Sequence, residues 1–224
     1  MWSDIWTLLG RELRIELRTR EVLSAMLVFG ILVLIVFTFS FPPSRDVLIV
    51  MTPGILWVSF IFSGFIGFNR SIARDLGPGR GLLGILASPV DRGALFVARM
   101  LANLIFLTLL QIVIMMMYAL FFNVDLSTHL RALGLVIILG TLGFVALGTL
   151  FSTIAAQTRF QDVLLPVLLL PLVSPVVIGA VKATAAVMGG TPLAGISFWI
   201  RFLGTFDAVF IIVSFLTYEF VVQE

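Results

Sequence analysis

Six stretches of this chain are long, apolar and almost free of charge: Val22–Phe41, Val47–Phe68, Met100–Phe122, Ala132–Ala155, Val163–Val181 and Phe202–Phe220. Each is about the length a helix needs to cross some 30 Å of hydrocarbon. Lipid offers no hydrogen bonds to an open backbone, so spanning segments are helices or closed barrels. Barrel strands are short and alternate in polarity, whereas these runs are continuous. Charged residues make up 12% of the 224 residues, against about 25% in soluble domains. The expected fold is all-α: one transmembrane domain over 1–224, a polytopic membrane protein with six transmembrane helices.

The first run follows a basic stretch, as in a signal peptide. It is long enough to span, however, and leads into Phe41-Pro42-Pro43 rather than an A-x-A cleavage site, so a retained helix is expected. The cations then orient the chain. With the N-terminus cytoplasmic, the inner side carries Arg11, Arg14, Arg18, Arg20, Arg70, Arg74, Arg80, Arg92, Arg99 and Arg159. The outer side carries Arg45, Arg131, Lys182 and Arg201. Ten against four places both termini inside. Ahead of the first span, Trp2, Ile5, Trp6, Leu9 and Leu13 recur at helical spacing while charges from Arg11 to Glu21 fill other positions. This pattern predicts an interfacial amphipathic helix over 2–20, with tryptophans at headgroup depth.

Within the spans, Thr52-Pro53 reads as a helix start, a capping hydroxyl before proline. Gly134, Thr141, Gly148 and Ala155 lie seven apart, a stripe of small residues suited to close helix packing. Pro166, Pro171 and Pro175 fall in the fifth span. Each removes a ladder hydrogen bond, which predicts a kinked or broken helix of the kind found at transport sites. The interval 183–200, with Gly189-Gly190 and Thr191-Pro192, reads as short outer helices or a re-entrant element.

The chemistry is notable for what is missing. There is no cysteine, so no disulfide and no Cys-ligated metal. Lys182 is the only lysine and Val181 precedes it, so the chain has no P-loop, whose lysine follows a glycine. No H-E-x-x-H or G-x-S-x-G motif occurs, and no catalytic residue is assigned. Asp207 is a carboxylate inside a predicted span and therefore a functional candidate, although it lies only six residues from Arg201, about 9 Å along a helix, which would set it near the outer interface. It joins Pro166, Pro171 and Pro175 as a candidate for a transport path. Asn103 and Gln111 suit hydrogen bonds between helices. Met115, Met116, Met117 and His129 are residue types that ligate haem, but packing is the commoner use of methionine, and no bound cofactor or metal is assigned.

One polar interval interrupts the pattern, residues 69–93, NRSIARDLGPGRGLLGILASPVDRG. Orientation places it in the cytoplasm. Asp75-Leu76-Gly77-Pro78-Gly79 is turn sequence. Leu82, Leu83, Ile85 and Leu86 form a short helical apolar set, and Ser88-Pro89-Val90-Asp91 reads as a capped start to the next helix. An apolar helix face offered to the cytosol suits a partner's groove. A membrane protein without its own P-loop then looks like the permease half of a two-component ATP-driven transporter. Arg74, Asp75, Arg80, Leu82, Leu83, Ile85 and Leu86 are the candidate contacts with the ATPase.

The pieces RELRIELRTRE at 11–21, TPGILWV at 52–58, LLGILASPVDR at 82–92, LGTLGFVALGTL at 139–150 and VLLPVLLLPLVSPVVIGA at 163–180 together resemble the CcmB family. Its members are permease subunits of the cytochrome c maturation transporter, related to type-2 ABC exporter permeases. The resemblance covers nearly the whole chain. It implies a homodimer around a separate cytosolic ABC ATPase that binds the ATP. It also implies a haem-handling membrane subunit, a small single-span subunit, haem as the possible transported substrate, and a place in the bacterial inner membrane. The lipid bilayer is the other expected partner, and nucleic acid is not one. Residues 69–92 would match the coupling segment. There the chain departs from the family pattern, with Asp75 the only acid before Asp91. The alternatives are a type-2 permease for lipid, polysaccharide or drug, and an assembly scaffold that transports nothing.

Overall fold

A computed structural model describes residues 2–40, 45–76, 91–122, 130–156, 158 and 160–221, with the side chains of 45–49, 72–76, 161 and 162 excepted. These residues form seven helices: α1 (Trp2–Thr19), α2 (Glu21–Ser40), α3 (Arg45–Leu76), α4 (Arg92–Phe122), α5 (Leu130–Ala156), α6 (Gln161–Met188) and α7 (Ser197–Val221). The last six are each long and apolar enough to cross a membrane. We call the end of the bundle where α2 begins the near end, and the opposite one the far end.

α5 is the most enclosed span. Trp57 of α3 fills the space beside Gly140, Phe68 of α3 that beside Gly148, and Asp207 of α7 that beside Gly143. A Cβ at any of the three would strike the side chain already there. Phe144 of α5 returns the contact by packing over Gly64 of α3, edge-on to Phe65 at 5.8 Å. Between helices in lipid, such close approach supplies the attraction that water supplies in soluble proteins. Of the seven-residue stripe, Thr141, Gly148 and Ala155 are buried, but Gly134 opens onto empty space. Of the three tight glycines, Gly148 keeps that spacing, while Gly140 and Gly143 lie off it.

Hydrogen bonds then tie the spans pairwise. Asn103 donates to Thr149 at 3.0 Å and Gln111 to Thr141 at 2.7 Å, both from α4 to α5. Trp57 donates through Nε1 to Thr184 of α6 at 3.0 Å. Thr52 and Tyr118 pair through their hydroxyls. Thr52 therefore does not cap a helix start: α3 begins earlier, at Arg45, and Pro53 lies inside it.

Three further expectations change. α6 is continuous through Pro166, Pro171 and Pro175 rather than broken. Pro175 has no N–H for the carbonyl of Pro171, and the Ser174 hydroxyl donates to that carbonyl instead, at 2.8 Å. The interval 183–200 holds no re-entrant element. α6 runs on to Met188 and ends in a Schellman motif, in which Gly190 N–H meets Val187 O and Thr191 N–H meets Ala186 O. Gly190 takes φ +80°, which glycine tolerates without a Cβ clash. α7 then starts at Ser197, ahead of the predicted 202.

The faces of α1 also differ from expectation. Ile5, Leu9, Glu12 and Glu16 are buried, with Ile5 packed on Ala94 and Ala98 at the start of α4. Trp2 and Trp6 are exposed, 74% and 66%, on the neighbouring flank. Two glutamates thus replace the tryptophans on the inward face. The reason for one is a sharp corner: Arg20 adopts φ 54°, α2 restarts at once, and Glu16 accepts the Leu23 N–H at 2.8 Å. A side chain of α1 thereby caps α2.

Two predictions follow from this packing. Gly148→Ala pushes against the Phe68 ring and lowers thermal stability in detergent by about 1–3 kcal/mol, whereas Gly134→Ala is neutral or gains up to about 1 kcal/mol from helix propensity. Glu16→Ala uncaps α2 and destabilises the protein by about 1–2 kcal/mol, with Glu16→Gln milder because an acceptor remains.

Candidate functional site

Besides the pairwise links between spans, two groups of polar side chains stand out inside the bundle. The first lies at the near end. Glu12 of α1, Ser71 of α3, Arg99 and Asn103 of α4, and Thr149 and Ser152 of α5 line a cavity of about 10 Å³, room for about one water molecule. Glu12 and Ser152 are buried, and both Glu12 and Arg99 have partners. Four helices therefore meet through a small, largely polar joint instead of an apolar one. Ser71 and Arg99 sit on the helices that enter and leave the polar interval. Asp91 caps the second of these: its Oδ1 accepts the Gly93 N–H at 2.9 Å, and α4 begins at Arg92. Sequence reading assigned no role here to Glu12, Glu16, Arg99, Thr149 or Ser152. The usable signal was phase, since Glu12 and Glu16 continue the i, i+4, i+7 series of Ile5 and Leu9.

The second place is Asp207. α7 starts at Ser197, so Asp207 lies ten residues in, about 15 Å along the axis. Gly143 opposite it is the central residue of the 27-residue α5. Asp207 is thus deep in the bundle and not at its edge. It is 4% exposed, and neither carboxyl oxygen meets a hydrogen-bond partner among the described residues. On the same buried face of α7 follow Ser214 and Tyr218, whose hydroxyls are also unpartnered. An unpaired buried polar group costs about 1–3 kcal/mol, so a row of them calls for a reason beyond packing.

The other sequence candidates divide. Pro166 is half-buried, while Pro171 and Pro175 lie on the exposed side of α6, so the prolines and Asp207 share no common interior. Arg74 and Asp75 occupy the last turns of α3, their side chains outside the described set. Arg80, Leu82, Leu83, Ile85, Leu86 and His129 lie outside the described residues. Met115 and Met117 pack against the core, and Met116 is exposed.

Taken together, the fold and its intramembrane polar groups define an all-α polytopic membrane protein. The profile of the CcmB protein family matches residues 3–222, and the chain belongs to that family. Among its relatives are three proteins named heme exporter protein B. That of Pseudomonas aeruginosa is 28% identical over 202 residues, 90% of either chain. That of Haemophilus influenzae is 29% identical over 189 residues, 84% of either chain. That of Rhodobacter capsulatus is 27% identical over 172 residues, 76% of this chain and 78% of the relative.

The hydrogen bond between Asn103 and Thr149 is open to a direct test. A double-mutant cycle with Asn103→Leu and Thr149→Val should give a coupling of about 0.5–1.5 kcal/mol in thermal or denaturant unfolding, as for other intramembrane hydrogen bonds.

Proposed function

We propose that this chain is the permease subunit of an ATP-driven ABC transporter complex for cytochrome c biogenesis, with haem as the exported or delivered cargo. Family membership and the relatives' name, heme exporter protein B, support this reading. ATP hydrolysis belongs to a separate cytosolic subunit, since the chain has no P-loop lysine. The partners are that ATPase, a second copy of this chain, a haem-handling membrane subunit and a small single-span subunit. The complex sits in the bacterial inner membrane with both termini of this chain cytoplasmic, as the ten-to-four split of cations argues.

The observation that carries the mechanism is the near-end joint. Residues 69–92 take in the end of α3, the connection and the first residue of α4, and Ser71 and Arg99 on those helices share one cavity with Glu12 of α1 and Thr149 of α5. Closure of the ATPase dimer pushes on Arg74, Asp75, Arg80, Leu82, Leu83, Ile85 and Leu86. The push reaches α5 through this joint, because helix ends packed on one another shift as rigid bodies and do not deform continuously. Movement of α5 against α7 then opens Gly143 from Asp207. The row Asp207, Ser214 and Tyr218, unpaired in the closed arrangement, becomes the polar wall of the path. Pro171 and Pro175, facing outward, play their part on the outer surface of α6.

Two outcomes test this. The chain purified from its native membrane brings down an ATPase; a stable chain that consistently comes alone refutes the coupling role. Asp207→Leu relieves a buried unpaired group, so it holds or raises stability by about 1–3 kcal/mol, yet it abolishes holocytochrome c formation. Normal maturation with Asp207→Leu would make Asp207 a packing residue only.

A further inference from the structure

The side of the bundle between α2 and α3 carries a feature that the transport reading does not use. A groove of about 520 Å³ opens there, between the start of α2 and the end of α3. Its mouth holds Glu21, Ser24 and Arg70, and its walls hold Val28, Leu32 and Ile66. The volume lies within the range of sites for small molecules, about 300–1,000 Å³. The order of the residues is more telling than the volume. Glu21 is the first residue of α2, and Leu32 lies eleven residues further on, about 16 Å along the axis. That is half of a hydrocarbon core about 30 Å thick. The groove is therefore charged at the membrane surface, apolar below it, and as deep as one leaflet.

The two charges at the mouth are of opposite sign. Neither Glu21 nor Arg70 forms an ion pair with another described residue, and both are exposed. A purely anionic headgroup would meet Arg70 favourably and be repelled by Glu21. A zwitterion satisfies both. The guanidinium suits a phosphate, which it can hold through two N–H groups. The carboxylate suits a primary ammonium, which has N–H groups to donate, over a quaternary one, which has none. The Ser24 hydroxyl already donates to the Glu21 carbonyl, and its oxygen remains as an acceptor for the same ammonium.

We propose that this groove is a binding site for phosphatidylethanolamine, with phosphate on Arg70, ammonium on Glu21 and one acyl chain along Val28, Leu32 and Ile66. The site is on the outside of the subunit and is independent of the cargo and of the ATPase. A resident lipid covers the seam of α2 and α3 beside their Met26–Gly67 contact and holds α2 to the bundle from the membrane side. This complements Glu16, which holds α2 from the α1 side.

The test is native mass spectrometry of the full chain in detergent, titrated separately with phosphatidylethanolamine, phosphatidylcholine and phosphatidylglycerol of matched chains. The unaltered protein should retain phosphatidylethanolamine about tenfold better than either other lipid, the preference of one charge-assisted hydrogen bond. Glu21→Ala should bring phosphatidylethanolamine down to the level of phosphatidylcholine without loss of fold, since the side chain is exposed. Arg70→Gln should weaken all three lipids. Val28→Trp, which fills the groove, should remove retained lipid at an unchanged melting temperature in lipid-free detergent. Equal retention of the three lipids, no retained lipid, or a preference that survives Glu21→Ala would overturn the proposal. A dimer mass that Val28→Trp converts to monomer would overturn it too, by showing a second copy in the groove.

Discussion

Helices in a bilayer gain little from hiding apolar surface from one another, because lipid is as apolar as they are. What holds them is close approach, and in this protein close approach depends on α5. Gly140, Gly143 and Gly148 leave hollows on that helix into which Trp57, Asp207 and Phe68 fit. Phe144 reverses the relation at Gly64. Because α5 is thin on several sides, α3 and α7 can lie against it at once, and α4 comes near enough for Asn103 and Gln111 to reach its threonines. The threonines serve twice: Thr141 accepts from Gln111 and donates to Ile137 O within its own helix at 2.6 Å. Polar groups that would be costly in lipid thus become links between spans.

The near end of the bundle is built differently. α1 does not span; it lies on the start of α4 and turns into α2 through the left-handed Arg20. Glu16 ties the corner, and Glu12 reaches the polar cavity shared by α3, α4 and α5. Four helix ends are therefore joined around the segment that separates α3 from α4. The proposed coupling to a cytosolic motor makes use of such a joint, since force applied to a loop is lost unless the flanking helix ends move as one. The far end has other means, the Trp57–Thr184 and Thr52–Tyr118 pairs, which tie α3 to α6 and to α4.

Against this background of satisfied groups, α7 stands apart. Its inward face presents Asp207, Ser214 and Tyr218 without hydrogen-bond partners, three on one helix face, whereas elsewhere such groups, the Ser63 hydroxyl and the Gln111 Oε1 among them, fall singly. Groups left unpaired in one arrangement are readily explained by a second arrangement in which they meet water, cargo or one another. α6 makes the opposite point. Its prolines suggest a break, but Ser174 supplies the hydrogen bond that Pro175 removes, and the helix continues.

The span count, the helical class and the family could all be read from the sequence, because a bilayer demands about 20 apolar residues per crossing and the chain supplies six such runs. The missing P-loop lysine was equally plain. Helix starts and stops were less so. Thr52-Pro53 carried the local marks of a start, yet Thr52 was needed by Tyr118; Gly189-Gly190 marked an end, but only the bonds to Val187 and Ala186 set it there. The faces of α1 and the tight glycines of α5 were decided in the folded bundle. Hydropathy places a residue in or out of the membrane, but it does not say which neighbour it meets. Glu12 and Glu16 are charged by sequence and buried by their neighbours, Gly134 is small by sequence and unopposed in the fold, and Asp207 became central only when α7 was seen to begin at Ser197 and to meet Gly143 halfway along α5.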